Sequence, residues 1–352
     1  GVTDDTIVIG AGDDQGFASS PGLNAQMTAA AQAMVDACNE LGGIEGRRIE
    51  LIRYDAKIFE VSTVMLEACD DVFMLVGEGF AVDGFGEETR VQCELAHMPA
   101  WTVSAAAAHG PRMVQPLPNP ADQLSVGAAT YIAETHPEAI DAAVAIFANF
   151  GATIETKDKG VAGFAQVGYE WLGEIEYNVN GEEDWTPFVL RLRDLGAELV
   201  YFTGTCLPNY QQFRAAAAVN DFDAVWQVDN PWYDAPCAAA NADGVMDGTL
   251  IRVPIVPFEE RAINPATDDY MTLMEDAGED ISALAVQTVS AFLLWATAAS
   301  ACGSDLTADC VLEQARSIGT WDGHGLHVPT DPGANDAATC VVVMELVGTA
   351  FR

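Results

Sequence analysis

A short apolar run, Thr6-Ile-Val-Ile-Gly10, leads directly into Ala11-Gly12-Asp-Asp-Gln-Gly16, so a strand is followed by Gly-x-Gly-x-x-x-Gly. Glycines in this position let backbone N–H groups approach a pyrophosphate, which raises a nucleotide-dependent α/β enzyme as one reading. Three features oppose it. The last glycine interval is one residue too long, Asp13 and Asp14 would repel the phosphates, and the next strand begins only near Arg48. A ribose-binding acid is expected ~20 residues on, well before that strand. A second group, Asp322, His324 and His327, has metal-ligating side chains, but HxxH in a turn is more often structural. HExxH, Gly-x-Ser-x-Gly and Walker A sequences are absent, and the five His offer no clear partner to a Ser or Cys nucleophile. The expectation is a protein that is not an enzyme, with no cofactor and no metal.

The eight Cys include no CxxC pair, so zinc ribbons and thioredoxin-like redox sites have no support. Cys302 and Cys310 enclose a polar turn between two helical stretches and form one disulfide candidate. Cys69 ends one helical stretch and Cys93 lies in the next, a second candidate. Cys206 and Cys237 follow two adjacent strands, a third; Cys38 and Cys340 are left without a defensible partner. Disulfides belong to exported proteins, and the start at Gly1 without Met implies that a signal peptide was removed.

Acidic residues number 53 and basic ones 15, a formal charge of −38, and only Lys57, Lys157 and Lys159 are lysines. A nucleic-acid partner needs a basic face, and an anionic membrane surface needs the same, so both are excluded. Half the residues are apolar, which excludes disorder. The acid is dispersed in runs no longer than pairs, as expected of a surface solvated in a saline habitat rather than a ligand site. The uncharged stretch from Ile281 to Ser304 carries Gln287, Thr288, Ser290, Thr297 and Ser300, and reads as a buried helix rather than a membrane span.

Strand and helix patterns alternate. Strands are expected at Thr6–Gly10, Arg48–Tyr54, Val72–Val76 and Pro99–Val103, with helices at Pro21–Leu41, Phe59–Cys69 and Val82–Leu95. After a Pro-rich extended segment, 111–120, a second series follows. Its helices are Ala121–Glu134, Val161–Leu172, Trp185–Leu195 and Pro208–Val219, and its strands Ala142–Phe147, Glu174–Tyr177, Leu199–Thr203 and Ala224–Val228. Gly248–Pro257 is again extended, three helices follow (Pro265–Ala277, Ile281–Ala301, Thr307–Ile318), and Thr339–Val347 is strand-like. The fold class is α/β: two Rossmann-like lobes with parallel sheets. Ligands of such sheets bind at the carboxyl ends of strands, here the loops after Gly10, Val76, Val103, Phe147, Thr203 and Val228.

Gly1–Gly10 (GVTDDTIVIG), Asn39–Arg47 (NELGGIEGR) and Glu50–Ala56 (ELIRYDA) together resemble the start of type I periplasmic solute-binding proteins, branched-chain amino acid (Leu/Ile/Val-binding) group. The resemblance runs over nearly the whole chain. It implies the extracytoplasmic substrate-binding component of a bacterial ABC importer, periplasmic or a cell-surface lipoprotein. Its partners would be a small-molecule ligand and ABC permease subunits, with the membrane met only through a removed N-terminal anchor and the chain a monomer. It also implies discontinuous lobes, 1–117 plus 253–329 and 118–252 plus 330–352, joined by a three-strand hinge whose third crossing lies near Gly325–Pro329, with the ligand cleft between them. A receptor's ligand-sensing domain is the alternative use of such a fold.

Carried over position by position, the resemblance gives a ligand set. The Ser expected after the third strand is replaced by Ala81 or Val82, and the Ser/Ala-x-Thr pattern after the fourth retains Ser104 but has Ala106 for Thr. Asp229 falls where an acid pairs with a ligand ammonium. Backbone N–H groups at 79–82 and 104–106 would have to hold a ligand carboxylate. Phe17, Phe80, Phe150, Trp232 and Tyr233, with Thr205 in the loop after Thr203, complete an expected aromatic cleft. With two hydroxyl anchors missing, a small polar or amine-bearing solute (an amino acid, an amide or a related compound) is expected before a simple branched-chain amino acid. The aromatic rings with Asp229 suit an amine, an amide or a cationic ring.

Overall fold

The structure, a computed structural model, describes residues 1–352. The chain begins with β1 (Thr6–Asp13), α1 (Ala25–Glu40), β2 (Arg48–Asp55), α2 (Val61–Asp71), β3 (Met74–Val76), α3 (Gly84–Gln92), β4 (His97–Met98) and α4 (Ala105–Ala108). It continues with α5 (Gly127–Thr135), β5 (Ala143–Ala148), α6 (Gly151–Ala165), β6 (Trp171–Tyr177), α7 (Thr186–Leu195), β7 (Leu199–Thr203), α8 (Gln211–Val219), β8 (Val225–Val228), α9 (Ala235–Ala239) and β9 (Thr249–Val253). It ends with α10 (Pro265–Ala277), α11 (Ala283–Cys302), α12 (Ala308–Ser317), β10 (Val342–Val347) and β11 (Ala350–Phe351).

These elements form two compact units: Gly1–Gln123 with Glu260–Ala338, and Leu124–Glu259 with Thr339–Arg352. Each boundary lies several residues beyond the one expected from sequence. The Pro-rich segment and the 330–338 stretch stay with the first unit because their own side chains bond to each other's backbone and to the unit's. Asn119 Nδ2 donates to Thr102 O at 2.7 Å, Thr330 Oγ1 to Pro116 O at 2.6 Å and Asn335 Nδ2 to Ala108 O at 2.8 Å. Residues 253–259 stay with the second, where Phe258 stacks on Tyr233 at 4.5 Å between ring centroids.

The first unit is an all-parallel sheet in the order β2-β1-β3-β4. Ile7, Ile9, Met74, Val76 and Met98 pack against Phe292 and Trp295 of α11. That helix is long and apolar enough to span a membrane, and most of it is buried inside the protein. Its lack of charge therefore follows from a core position. Helix α1 starts four residues later than Pro21, because Asn24 takes a left-handed conformation (φ 60°) that cannot lie inside a helix. The strand expected at Pro99–Val103 is instead the short β4, since Pro99 has no N–H to continue a ladder.

The second unit is a seven-stranded sheet, β11-β10-β9-β8-β7-β5-β6. Strands β5 to β9 are parallel, but β10 runs antiparallel to β9, and β11 antiparallel to β10. The expected parallel sheets are present, and an antiparallel edge is added to the second one, where Gly348 (φ 56°) turns the chain into a hairpin. Helix α6 occupies Gly151–Ala165, not Val161–Leu172, and Trp171 and Leu172 open β6. The misreading has a cause: Lys157 lies on the buried face of α6, and its charge breaks the apolar period.

Three disulfides close, Cys69–Cys93, Cys206–Cys237 and Cys302–Cys310, the same pairs offered by the sequence. Cys38 and Cys340 are free thiols.

Candidate functional site

In the first unit the loops after β1, β3 and β4 are fastened by buried carboxylates. Asp14 accepts from Ile58 N at 2.8 Å and from Ala81 N at 2.7 Å. Asp83 accepts from Val103 N at 2.7 Å and Ser104 N at 3.0 Å. The Ser104 hydroxyl accepts from Ala107 N at 3.2 Å, capping α4. Two of the backbone donors expected to hold a ligand carboxylate, at 81 and 104, and the adjacent one at 103 are thus already spent on the chain's own acids. Burial raises Asp14 to about 7 and Asp83 to about 6, opposed in both by the hydrogen bonds just named.

Glu78 and His97 form a second buried group, with Glu78 Oε1 and His97 Nδ1 2.8 Å apart. Burial raises Glu78 to about 8 and drives His97 well below its ordinary value. Both shifts favour one arrangement: a protonated Glu78 donates to a neutral His97. Glu78 Oε2 and His97 Nε2 have no hydrogen-bond partner within the protein.

The glycines of the β1 loop have packing reasons. A Cβ on Gly12 would stand 2.2 Å from the tip of the Phe80 ring, and one on Gly10 2.8 Å from both Leu75 and Tyr54. The Gly-x-Gly spacing lets side chains approach the strand. Asp13 accepts from Thr28 Oγ1 at 2.5 Å and from Gln15 N at 3.0 Å, so it faces into the unit.

In the second unit, the parallel register pairs Val228 with Ile251, which sets Asp229 beside Arg252 on the next strand. Arg252 Nε donates to Asp229 Oδ1 at 2.6 Å, and Tyr201 OH to Oδ2 at 2.5 Å. Asp229 is 3% exposed. Burial opposes the Arg252 charge, but Asp229 outweighs it and holds the guanidinium above its ordinary pKa. Burial, reinforced by Asp229, pushes Tyr201 well up. Asp229 therefore has cationic and hydroxyl partners of its own, whereas the resemblance assigned it to a ligand ammonium. Lys157, on α6, is committed likewise: it lies over the ring of Phe147 on β5 and bonds Asp158 and Glu174.

Phe80 and Val82 are buried in the β3 loop, and Ala81 is half-buried there. Phe17 packs edge-on against Phe59, and Ala106 is exposed on α4. Phe150 is half-buried at the start of α6. Thr205, after β7, accepts from Asn209 Nδ2 at 3.1 Å. Trp232 is buried edge-on to Phe202 and Tyr210, each 6.2 Å between centroids. Tyr233 OH donates to Glu259 at 2.5 Å.

Sequence reasoning missed Arg252, Tyr201, Asp14, Asp83 and Glu78. A lone Arg inside the apolar run Thr249-Leu-Ile-Arg-Val253 was a readable signal, since a charge on an interior strand needs a partner. The His324–His327 pair resolves into structure: His327 accepts from Ser290 Oγ and donates from Nδ1 to Val328 O, both at 2.8 Å.

The family profile described as "Periplasmic binding protein" matches residues 6–350. A possible leucine/isoleucine/valine-binding protein from Rhodopirellula baltica superposes with a TM-score of 0.84 at 14% identity, covering 99% of this chain and 96% of that one. A fatty acid ABC transporter substrate-binding protein from Thermomonospora curvata gives 0.82 at 17%, covering 99% and 91%. A leucine-binding protein from Thermotoga maritima gives 0.80 at 14%, covering 98% and 97%. At these identities the likeness is one of fold. No curated protein matches the sequence.

Proposed function

We propose that this chain, which belongs to the periplasmic binding protein family, is the extracytoplasmic solute-binding component of an ABC importer. It would take up a small polar solute, close on it by a hinge motion and present it to permease subunits. The observation that carries this reading is the family match over nearly the whole length. Family and structural neighbours are binding proteins rather than enzymes. The three disulfides are compatible with an oxidising compartment.

The test begins with mass spectrometry of small molecules released on denaturing the purified protein, followed by rebinding. A solute at 100 times its Kd stabilises the folded state by about 2.7 kcal/mol. That corresponds to a melting shift of roughly 5–11 °C for a unit of this size, at about 2–4 °C per kcal/mol. Small-angle scattering should show a smaller radius of gyration with the same solute. If no released or screened solute moves either measurement, the reading fails.

A further inference from the structure

We infer that the solute is uncharged and recognised through carboxamide-like hydrogen bonding, as a primary amide or a urea would be, rather than through charge. This rests on the solute-binding reading above and deepens it.

Several buried polar groups beyond the strand ends of the second unit have no hydrogen-bond partner within the protein. Asn230 is 2% exposed, and neither its Nδ2 nor its Oδ1 bonds to anything within the protein. It sits directly after β8, in the turn Asn230–Trp232. Two residues on, the buried Trp232 Nε1 is also unpartnered. In the neighbouring loop after β7, Asn209 is buried, spends its Nδ2 on Thr205 and leaves Oδ1 unpartnered. The two loops pack together, since the Trp232 ring meets that of Tyr210, next to Asn209. An unpaired buried polar group is costly, and native proteins rarely keep several together without a use. These three residues offer donors (Asn230 N–H, Trp232 N–H) and acceptors (Asn230 and Asn209 carbonyls) at the carboxyl ends of adjacent parallel strands. That is where ligands of such sheets bind. A carboxamide or urea group supplies the reciprocal set: its carbonyl accepts and its NH2 donates.

Charge points the same way. An ammonium needs an uncompensated carboxylate, and Asp229 already holds Arg252 and Tyr201. A carboxylate needs a free cation or free N–H groups. Arg252 is held by Asp229, and Lys157 by Asp158 and Glu174. In the first unit, the N–H groups of Ala81, Val103 and Ser104 serve Asp14 and Asp83. The acids of these loops are themselves shifted by burial toward their neutral forms.

The experiment is a thermal-shift and calorimetric screen of the full chain with solutes grouped by charge: amides and ureas, amines, carboxylates, and α-amino acids including leucine. The tightest binder should be an amide or a urea. Asn230→Leu should weaken it at least tenfold while leaving the ligand-free melting temperature unchanged or higher, because the variant removes an unpaired amide. Trp232→Phe, which removes only one donor, should weaken it severalfold. If Asn230→Leu fails to fold, the Trp232→Phe result decides. A charged solute or an amino acid bound more tightly than every amide and urea overturns the inference and leaves the transport reading intact, as does unaltered affinity in the variant that is read. Absence of binding in all four groups, with no co-purified solute, removes both.

Discussion

Replacing Arg252 by Met separates the two roles that Asp229 can have. On the sequence reading Asp229 waits for a ligand ammonium, so losing Arg252 should matter little to stability. In the structure, Arg252 Nε lies 2.6 Å from an Asp229 carboxylate that is only 3% exposed. Removing the guanidinium would leave that charge buried with a single hydroxyl donor, Tyr201. Breaking a buried ion pair on one side costs about 3–5 kcal/mol, because the abandoned charge can neither hydrate nor neutralise freely. The second unit has 150 residues, 136 from Leu124–Glu259 and 14 from Thr339–Arg352. At roughly 2–4 °C per kcal/mol, its melting should fall by roughly 6–20 °C.

The assay is calorimetry of the ligand-free chain with Arg252→Met, Asp229→Leu and the double variant. The double variant removes both charges together, and apolar replacement of a buried pair is often neutral or stabilising. It should therefore recover most of what Arg252→Met loses, giving a large coupling energy in the cycle. A loss under about 1 kcal/mol in Arg252→Met, or a double variant no better than the worse single, would refute the claim that the pair is structural. An Asp229 variant that lost solute affinity with no change in melting would restore the role assigned by resemblance.

Other expectations follow from the same geometry. Gly12→Ala should destabilise the first unit by about 1–3 kcal/mol, because its Cβ would meet the Phe80 ring at 2.2 Å; unchanged urea unfolding would refute the contact. Glu78, raised to about 8 in the fold against roughly 4.3 unfolded, binds its extra proton between those values. Its contribution is full below about pH 4 and is lost as pH rises through 8, so the stability of wild type relative to Glu78→Gln should fall from pH 5 to 8. A flat difference across that range would contradict the assignment. Opening Cys206–Cys237, which spans 31 residues, should cost about 1 kcal/mol more than opening Cys302–Cys310, which spans 8, as read from paired Cys→Ser variants. At a formal charge of −38, melting should rise with sodium chloride between 0.05 and 1 M, since screening relieves repulsion among exposed acids.

Much of the fold was legible because burial imposes a period. Leu199–Phe202 is an unbroken run of large apolar and aromatic side chains closed by Thr203, and Leu199–Thr203 forms a fully buried strand with the expected bounds. Pro265 and Gly278 bracket α10 as a start and a stop should. The failures occur where tertiary contacts override local pattern. Lys157 is buried in α6 because Asp158 and Glu174 receive its ammonium, and Glu174 arrives from β6. The site was less legible still. Asp229 could be placed by resemblance, but its partner Arg252 is adjacent only through the β8–β9 register, which no local pattern encodes. Ala81 and Ser104 lie on the loops after β3 and β4, as the sequence pattern places them, while the acids that take their N–H groups lie in other segments, Asp14 on β1's exit and Asp83 before α3.

The acidic composition therefore contains two populations with different physics. Most of the 53 acids have the dispersed spacing of a solvated surface, and their effect is collective and salt-dependent. Asp14, Asp83 and Asp229 are buried, each accepting two hydrogen bonds that tie separate segments together. A carboxylate in that position acts as a staple: it satisfies N–H groups that the loops after parallel strands otherwise leave free. The same loops are where a ligand's charge would be read. A chain that staples its strand-end loops with its own carboxylates, and offsets its buried Asp229 with its own arginine, has used there the charge complementarity on which amino acid recognition depends. On the inference drawn above, recognition falls to neutral hydrogen-bonding groups, and in the turn after β8 both the donor and the acceptor of Asn230 are unpaired.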